Sequence, residues 1–239
     1  MSSDLFISAL STLVTLLSAI FVFRRYLVRR GAHLLLWGIG LSLYTLGTLS
    51  EAVLITGWYP TFLRLWYWSG AIVVAAWLGQ GTVHLLVRKK PWPQITLTLL
   101  IIGSVASLIW IFNTPLDGSQ FELGKGLSEQ YKQIMPRGGV RYLSPFFNIY
   151  GTITLVGGAI YSAWLFWRKG VLKNRMWGNV LIAVGGMAPA LGGTFARLGQ
   201  MTFLYVSELV GGLLIFAGFL VATAHRPAVK PNPTDRSTD

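Results

Sequence analysis

The sequence predicts an all-α, polytopic membrane bundle of seven transmembrane helices, with the N-terminus outside and the C-terminus in the cytoplasm. Three observations predict it. Hydrophobic residues make up 53% of the 239 and charged residues only 12%, about half the charged share of an average soluble domain. Seven stretches are apolar over the roughly 20 residues that a helix needs to cross the hydrocarbon. Basic residues cluster after alternate stretches, as the positive-inside pattern requires.

The first span, residues 5–23, is preceded by Met-Ser-Ser-Asp and followed by Arg24, Arg25, Arg29 and Arg30. With no basic residue before it and four after, it reads as a retained anchor and not as a cleaved leader. The second and third spans, 33–56 and 62–87, are joined by a short outer turn, and Arg88, Lys89 and Lys90 follow. The fourth, 94–113, leads into the one long connection, 114–145. The fifth, 146–167, precedes Arg168, Lys169, Lys173 and Arg175. The sixth, 177–196, holds Pro189, where a missing amide hydrogen is expected to kink the helix. The seventh, 202–224, precedes Arg226, Lys230 and Arg236. The transmembrane domain is therefore 1–226, and the proline-containing tail 227–239 is expected to be disordered.

Fourteen of the 20 lysines and arginines thus fall on the cytoplasmic side. That distribution makes the net charge of +12 a topology signal and a contact for anionic lipid headgroups; a nucleic-acid partner is not expected. Nine of the ten tryptophans fall at span ends, Trp37, Trp92, Trp164, Trp167 and Trp177 inside and Trp58, Trp66, Trp68 and Trp110 outside, with Trp77 mid-span. Tryptophan prefers the headgroup level. In the outer connection, Leu127, Tyr131, Ile134 and Met135 recur at helical spacing between glycine-rich turns. A short amphipathic helix over the outer mouth is expected there.

Several chemistries are excluded. The absence of cysteine removes disulfides, thiolate metal sites and cysteine nucleophiles. The seventh span has no lysine for a retinal Schiff base, and of the three histidines only His84 lies within a span, His33 standing at the first residue of the second, so a bis-histidine haem is not expected. No HExxH motif occurs, and no span carries an aspartate. No metal or cofactor is expected, and the chain is not expected to be an enzyme.

Ionisable residues inside a bilayer are costly and are candidates for function. Two acids lie there, Glu51 in the second span and Glu208 in the seventh, each about five or six residues from the outer end. Arg64 and Arg197 lie near the same level, and Tyr44, Thr48 and Glu51 share one helix face by three- and four-residue spacing. These six residues form a candidate outward-facing ligand pocket, the arginines acting as counter-charges. The alternative is an ion-pair network that locks the bundle. On the inner side Gln80, His84 and Asn179 form a thinner polar set, expected to make packing hydrogen bonds.

A weak internal repeat at an offset of 141 residues pairs Thr61-Phe62-Leu63 with Thr202-Phe203-Leu204, Gly70 with Gly211 and His84 with His225. It suggests two three-helix units with the fourth helix as linker, a parallel transporter-like plan. The spans at 5–23 and 146–167 lack the internal proline of SWEET and PQ-loop signatures. Glycines 151, 157, 158, 185, 186, 192, 193 and 211, with Ser207, suit close helix crossings, either within the bundle or in a homo-oligomer.

The segments Arg141-Tyr-Leu-Ser-Pro-Phe-Phe-Asn-Ile-Tyr-Gly151, Gly178-Asn-Val-Leu-Ile-Ala-Val-Gly-Gly186, Leu46-Gly-Thr-Leu-Ser-Glu-Ala52 and Tyr205-Val-Ser-Glu-Leu209 resemble a group of uncharacterised bacterial seven-helix membrane proteins. The resemblance covers nearly the whole chain and implies a bacterial inner-membrane location, without an activity. At fold level the chain also resembles the seven-helix sensor regions of bacterial kinases. The expected function is a small-ligand binding or sensing module with a membrane-protein partner. A small-molecule or ion transporter and a structural subunit of a larger membrane complex are the alternatives.

Overall fold

The computed structural model describes residues 3–87, 89–124, 126–170, 173–197 and 202–223, with the side chains of residues 3, 190–197, 202 and 223 outside the description. Every regular element among them is helical. They are α1 (Ser3–Arg29), α2 (Ala32–Leu54), α3 (Pro60–Leu86), α4 (Trp92–Phe112), a short α5 (Leu127–Ile134), α6 (143–168), α7 (Lys173–Arg197) and α8 (Thr202–Thr223). Six of them, α1, α2, α3, α4, α6 and α8, are long and apolar enough to cross a membrane. That is the build of a multi-pass membrane protein. The 25-residue α7 packs among them along α6 and α8. The expected tail, 227–239, lies outside the described residues.

The helices close into a ring in the order α1, α2, α3, α6, α7, α8 and back to α1. α4 stands outside the ring against α3. Its sequence shows why: Pro93, Leu100, Ser104, Ser107 and Ile111 make a buried stripe at three-, four- and seven-residue spacing, while Leu99, Ile102, Val105 and Ile109 are exposed. The stripe is the more polar side. Trp77 Nε1 donates to Ser104 Oγ at 3.0 Å, and Trp68 Nε1 to Ser107 Oγ at 3.1 Å. A helix whose hydroxyls face protein and whose aliphatic side chains face outward suits an apolar solvent.

Two apolar clusters fill the ring. One lies toward the end that carries Arg24–Arg30 and Arg168, here the basic end, and includes Leu34, Leu41, Leu78, Leu155, Ile182 and Phe219. The other lies toward the loop end, where Leu63, Trp66, Tyr67 and Ile111 meet Leu127, Ile134 and Met135 of the connection. The short helix predicted in the connection is thus present as α5. Its apolar side is buried, and it reaches across to α7. Gln130, fully buried, anchors it: its Oε1 accepts from Glu122 N at 2.8 Å and its Nε2 donates to Glu122 O at 3.2 Å. Asp117 accepts from Ser119 N and Oγ at 3.1 and 2.6 Å, which holds its carboxyl below the usual range. Gly138 and Gly139 take φ of +91° and +60°, a left-handed turn that favours glycine, and lead the chain into α6.

Two tryptophans depart from the expected interfacial belt. Trp37 and Trp66 are buried. Trp37 packs edge-on against Phe219 and donates from Nε1 to Leu78 O at 3.1 Å. With that one donor satisfied by a backbone carbonyl, the ring needs no headgroup.

α3 and α6 each contain a π-helical segment, Tyr67–Val73 and Thr152–Gly157. Such segments widen the turn and free a carbonyl from the regular ladder. The Ala71 carbonyl accepts from Ser144 Oγ at 2.5 Å and from Asn148 Nδ2 at 2.8 Å, both on α6. The two irregular helices are thereby joined at the ring's centre.

Candidate functional site

A cavity of about 360 Å³ lies inside the ring, between the two apolar clusters. α2 contributes Tyr44, Gly47, Thr48 and Glu51; α3 contributes Trp66, Tyr67, Gly70 and Ala71. Across from them stand Ser144, Asn148 and Thr152 of α6, Gly185 and Pro189 of α7, and Leu204 and Glu208 of α8. Ser128, Tyr131 and Lys132 of α5 form the rim, while Leu78, Leu155 and Ile215 close the opposite end. Those three belong to the apolar cluster of the basic end. The cavity therefore has a polar middle, a lid helix at one end and an aliphatic floor at the other.

Its width follows from small residues. A Cβ on Gly47 would lie 3.3 Å from Gly70 Cα, so α2 and α3 meet backbone to backbone there. Pro189 has no amide hydrogen and leaves the Gly185 carbonyl outside the helical ladder. A Cβ on Gly211 would lie 2.8 Å from that oxygen and 3.1 Å from Pro189 Cδ. The proline thus shapes both the α7–α8 contact and the cavity wall.

The carboxyls of Glu51 and Glu208 meet in this cavity, close enough to share a hydrogen bond. The matched depths expected for them hold. Glu51 is 1% exposed, and its Oε1 has no hydrogen-bond partner. Ser8 Oγ, buried on α1, stands next to the Glu51 carboxyl and within its reach. Glu208 is half-buried, its accessible part facing the cavity. Tyr44 Oη donates to the Glu208 carbonyl at 2.8 Å, tying α2 to α8 beside the pair. Thr48 Oγ1 accepts from Thr12 Oγ1 at 3.1 Å, and Thr45 Oγ1 donates to Thr15 Oγ1 at 3.1 Å. This hydroxyl ladder sets the register of α1 against the face that carries Glu51.

Arg64 is placed differently from the expectation. Arg64 does not line the cavity: its Nε donates to Ile111 O at 3.2 Å and a terminal nitrogen to Thr114 O at 3.0 Å. Carbonyls at and just past the end of α4, where the negative end of the helix dipole lies, hold the guanidinium, and Ile111 O also accepts from Thr114 N at 3.2 Å. Arg197 ends α7, and its side chain lies outside the described residues. Among the described residues, no cation is paired with either carboxyl; Lys132 sits exposed at the rim.

Sequence reasoning misses two pairs of lining residues, Ser144 with Asn148 and Trp66 with Tyr67. Ser144 falls in the expected connection and Asn148 just inside the fifth span, because the helix begins before its apolar run. Trp66 reads as interfacial, and Tyr67 carries no signal of its own. Ser8, beside Glu51 but not lining the cavity, reads as an ordinary serine in a span. The expected inner polar set is half right: Gln80 Nε2 donates to Pro93 O at 3.0 Å and Thr96 Oγ1 at 3.1 Å, sits 3.2 Å from His84 Nδ1, and its Oε1 accepts from Tyr150 Oη. Asn179 is not among its partners. Gln80 is saturated, as a packing residue should be.

Comparison with protein-family models, with curated proteins and with solved structures finds no match to this chain.

Proposed function

We propose that the chain is a seven-span protein of the bacterial inner membrane, N-terminus outside and C-terminus cytoplasmic, that binds a small ligand in the cavity and reports its presence to a membrane partner. The observation that carries this reading is a cavity beneath a docked helix with a fully buried carboxylate oxygen, Glu51 Oε1, left without a partner. A buried polar atom costs free energy unless something bonds to it. A ligand would supply that bond. The charge bias supports the orientation, since the lid then faces outward.

The other two readings have less support. A structural subunit held by an ion-pair network should show satisfied carboxyls, and Glu51 Oε1 is unsatisfied. A transporter needs a route past Leu78, Leu155 and Ile215, where an aliphatic cluster seals the floor. The two-state element that a sensor requires would be the α5 lid together with the π segments. The likeness to seven-helix sensor regions points the same way.

Native mass spectrometry of the protein in mild detergent tests the reading. The wild type is expected to carry a small-molecule adduct, and Ala71→Trp, which fills the cavity, is expected to lose it while keeping its helicity. A bare wild-type chain, both in detergent and in nanodiscs, overturns the proposal.

A further inference from the structure

We propose that the cavity's ligand bears an ammonium group, which docks against the Glu51–Glu208 carboxyl pair. The inference rests on the ligand-binding reading above and names the chemical class that the site selects. Two carboxyls that share a single proton across a hydrogen bond carry one negative charge between them, the state that a bound cation stabilises. Among the described residues no cation is paired with either group, and Glu51, a residue 1% exposed that lines the cavity, has its Oε1 unpartnered. Unpaired negative charge in a low-dielectric site is stabilised most by a cation. A neutral donor would leave the charge in place, and an anion would add to it.

The walls agree with the charge. Tyr44, Trp66 and Tyr67 line the same cavity, and aromatic faces attract ammonium groups by their quadrupoles. Tyr131 at the rim is already covered, with Arg141 Cζ 5.3 Å and Lys132 Nζ 6.0 Å from its ring centre. Trp66 and Tyr67 pack on Tyr131, with ring centres 6.0 and 5.5 Å from it, and Tyr44 stands beside the two carboxyls. A volume of about 360 Å³ exceeds what a bare metal ion needs, and among the described residues no group of three or more acids or histidines could cage one. An organic ammonium fits both the size and the apolar walls. It could be a soluble amine or the headgroup of an ethanolamine lipid.

The chain has no cysteine, so Ala71→Cys places a single thiol in the cavity, and slowing of its alkylation reports occupancy. The test uses nanodiscs of phosphatidylglycerol alone, which carry no ammonium headgroup. Choline and benzyltrimethylammonium are expected to protect the thiol, whereas 3,3-dimethylbutan-1-ol, the uncharged isostere of choline, is expected not to. In Glu51→Gln/Glu208→Gln, which removes the charge of the pair, protection by the cations should weaken about tenfold or more, the scale of one lost ion contact at a partly buried site; undiminished protection in that variant overturns the ammonium assignment. Protection on adding phosphatidylethanolamine, but not with soluble cations, would identify the lipid as the source of the ammonium. Equal protection by the alcohol and by choline overturns the ammonium assignment and leaves the pocket reading standing. So does an anionic or uncharged adduct in the mass spectrum with no protection by any ammonium compound. Absence of any adduct together with absence of any protection overturns both.

Discussion

Arg64 is held by two carbonyls at the end of α4, Ile111 O and Thr114 O, and a guanidinium so engaged has a structural task. Hydrogen bonds to charged groups contribute about 1.5–3 kcal/mol, and Ile111 O keeps its bond from Thr114 N when the guanidinium is removed. Arg64→Met is therefore expected to destabilise the fold by about 1–3 kcal/mol and to speed amide exchange near residue 114, while ammonium binding stays unchanged. Loss of binding at unchanged stability would return Arg64 to the site as a counter-charge. The contrast with Glu51 and Glu208 shows what a sequence discloses at this scale. Acids are rare in apolar spans, and span direction sets their depth, so their meeting could be foreseen. The partner of Arg64 is backbone, brought near only when α3 and α4 pack, and no residue type announces it. The hydroxyls of Thr12 and Thr15 were equally silent, because a threonine in a helix also bonds its own turn, as Thr12 does to Ser8 O at 2.8 Å.

Six of the seven expected apolar runs fall in helices long and apolar enough to cross a membrane and the sixth run falls in α7, with α2 and α8 beginning and ending within two residues of the expected limits. Length and hydropathy are strong signals, and element type follows from them. Irregularity inside a helix leaves no such mark. The π segment in α3 goes with the capture of the Ala71 carbonyl by Ser144 and Asn148, a contact between elements distant in sequence. The π segments in α3 and α6 also do not follow the 141-residue repeat, which would pair α3 with α8. The glycines just before and within the α6 segment differ in a way that only packing shows. A Cβ on Gly151 would lie 2.6 Å from the Ala75 carbonyl oxygen, whereas one on Gly157 would meet nothing within 4 Å. Gly151→Ala is expected to cost about 1–3 kcal/mol through overpacking against α3. Gly157→Ala, six residues along the same helix, is expected to be neutral or stabilising, since alanine favours the helix. Thermal unfolding of the two variants in one detergent checks the pair; equal effects would mean that α3 and α6 do not approach as closely as described.

Taken as a whole, the ring is closed at one end by aliphatic side chains and covered at the other by a docked helix, so any exchange with solvent should be one-sided. Leu78, Leu155 and Ile215 separate the cavity from the basic end, and Val156 lies buried within that same cluster. If the basic end faces the cytoplasm, as the bias of fourteen of 20 cationic residues implies, the accessible side is the outer one. In the cysteine-free background, Ala71→Cys is expected to react with a membrane-impermeant thiol reagent added outside intact cells and not with the same reagent added to inverted vesicles. Val156→Cys should react from neither side. Labelling of Ala71→Cys only in inverted vesicles would reverse the orientation. Labelling of Val156→Cys from the cytoplasmic side while Ala71→Cys reacts from outside would show a route through the floor, and with it the alternating access that a transporter needs and a one-ended binding module lacks.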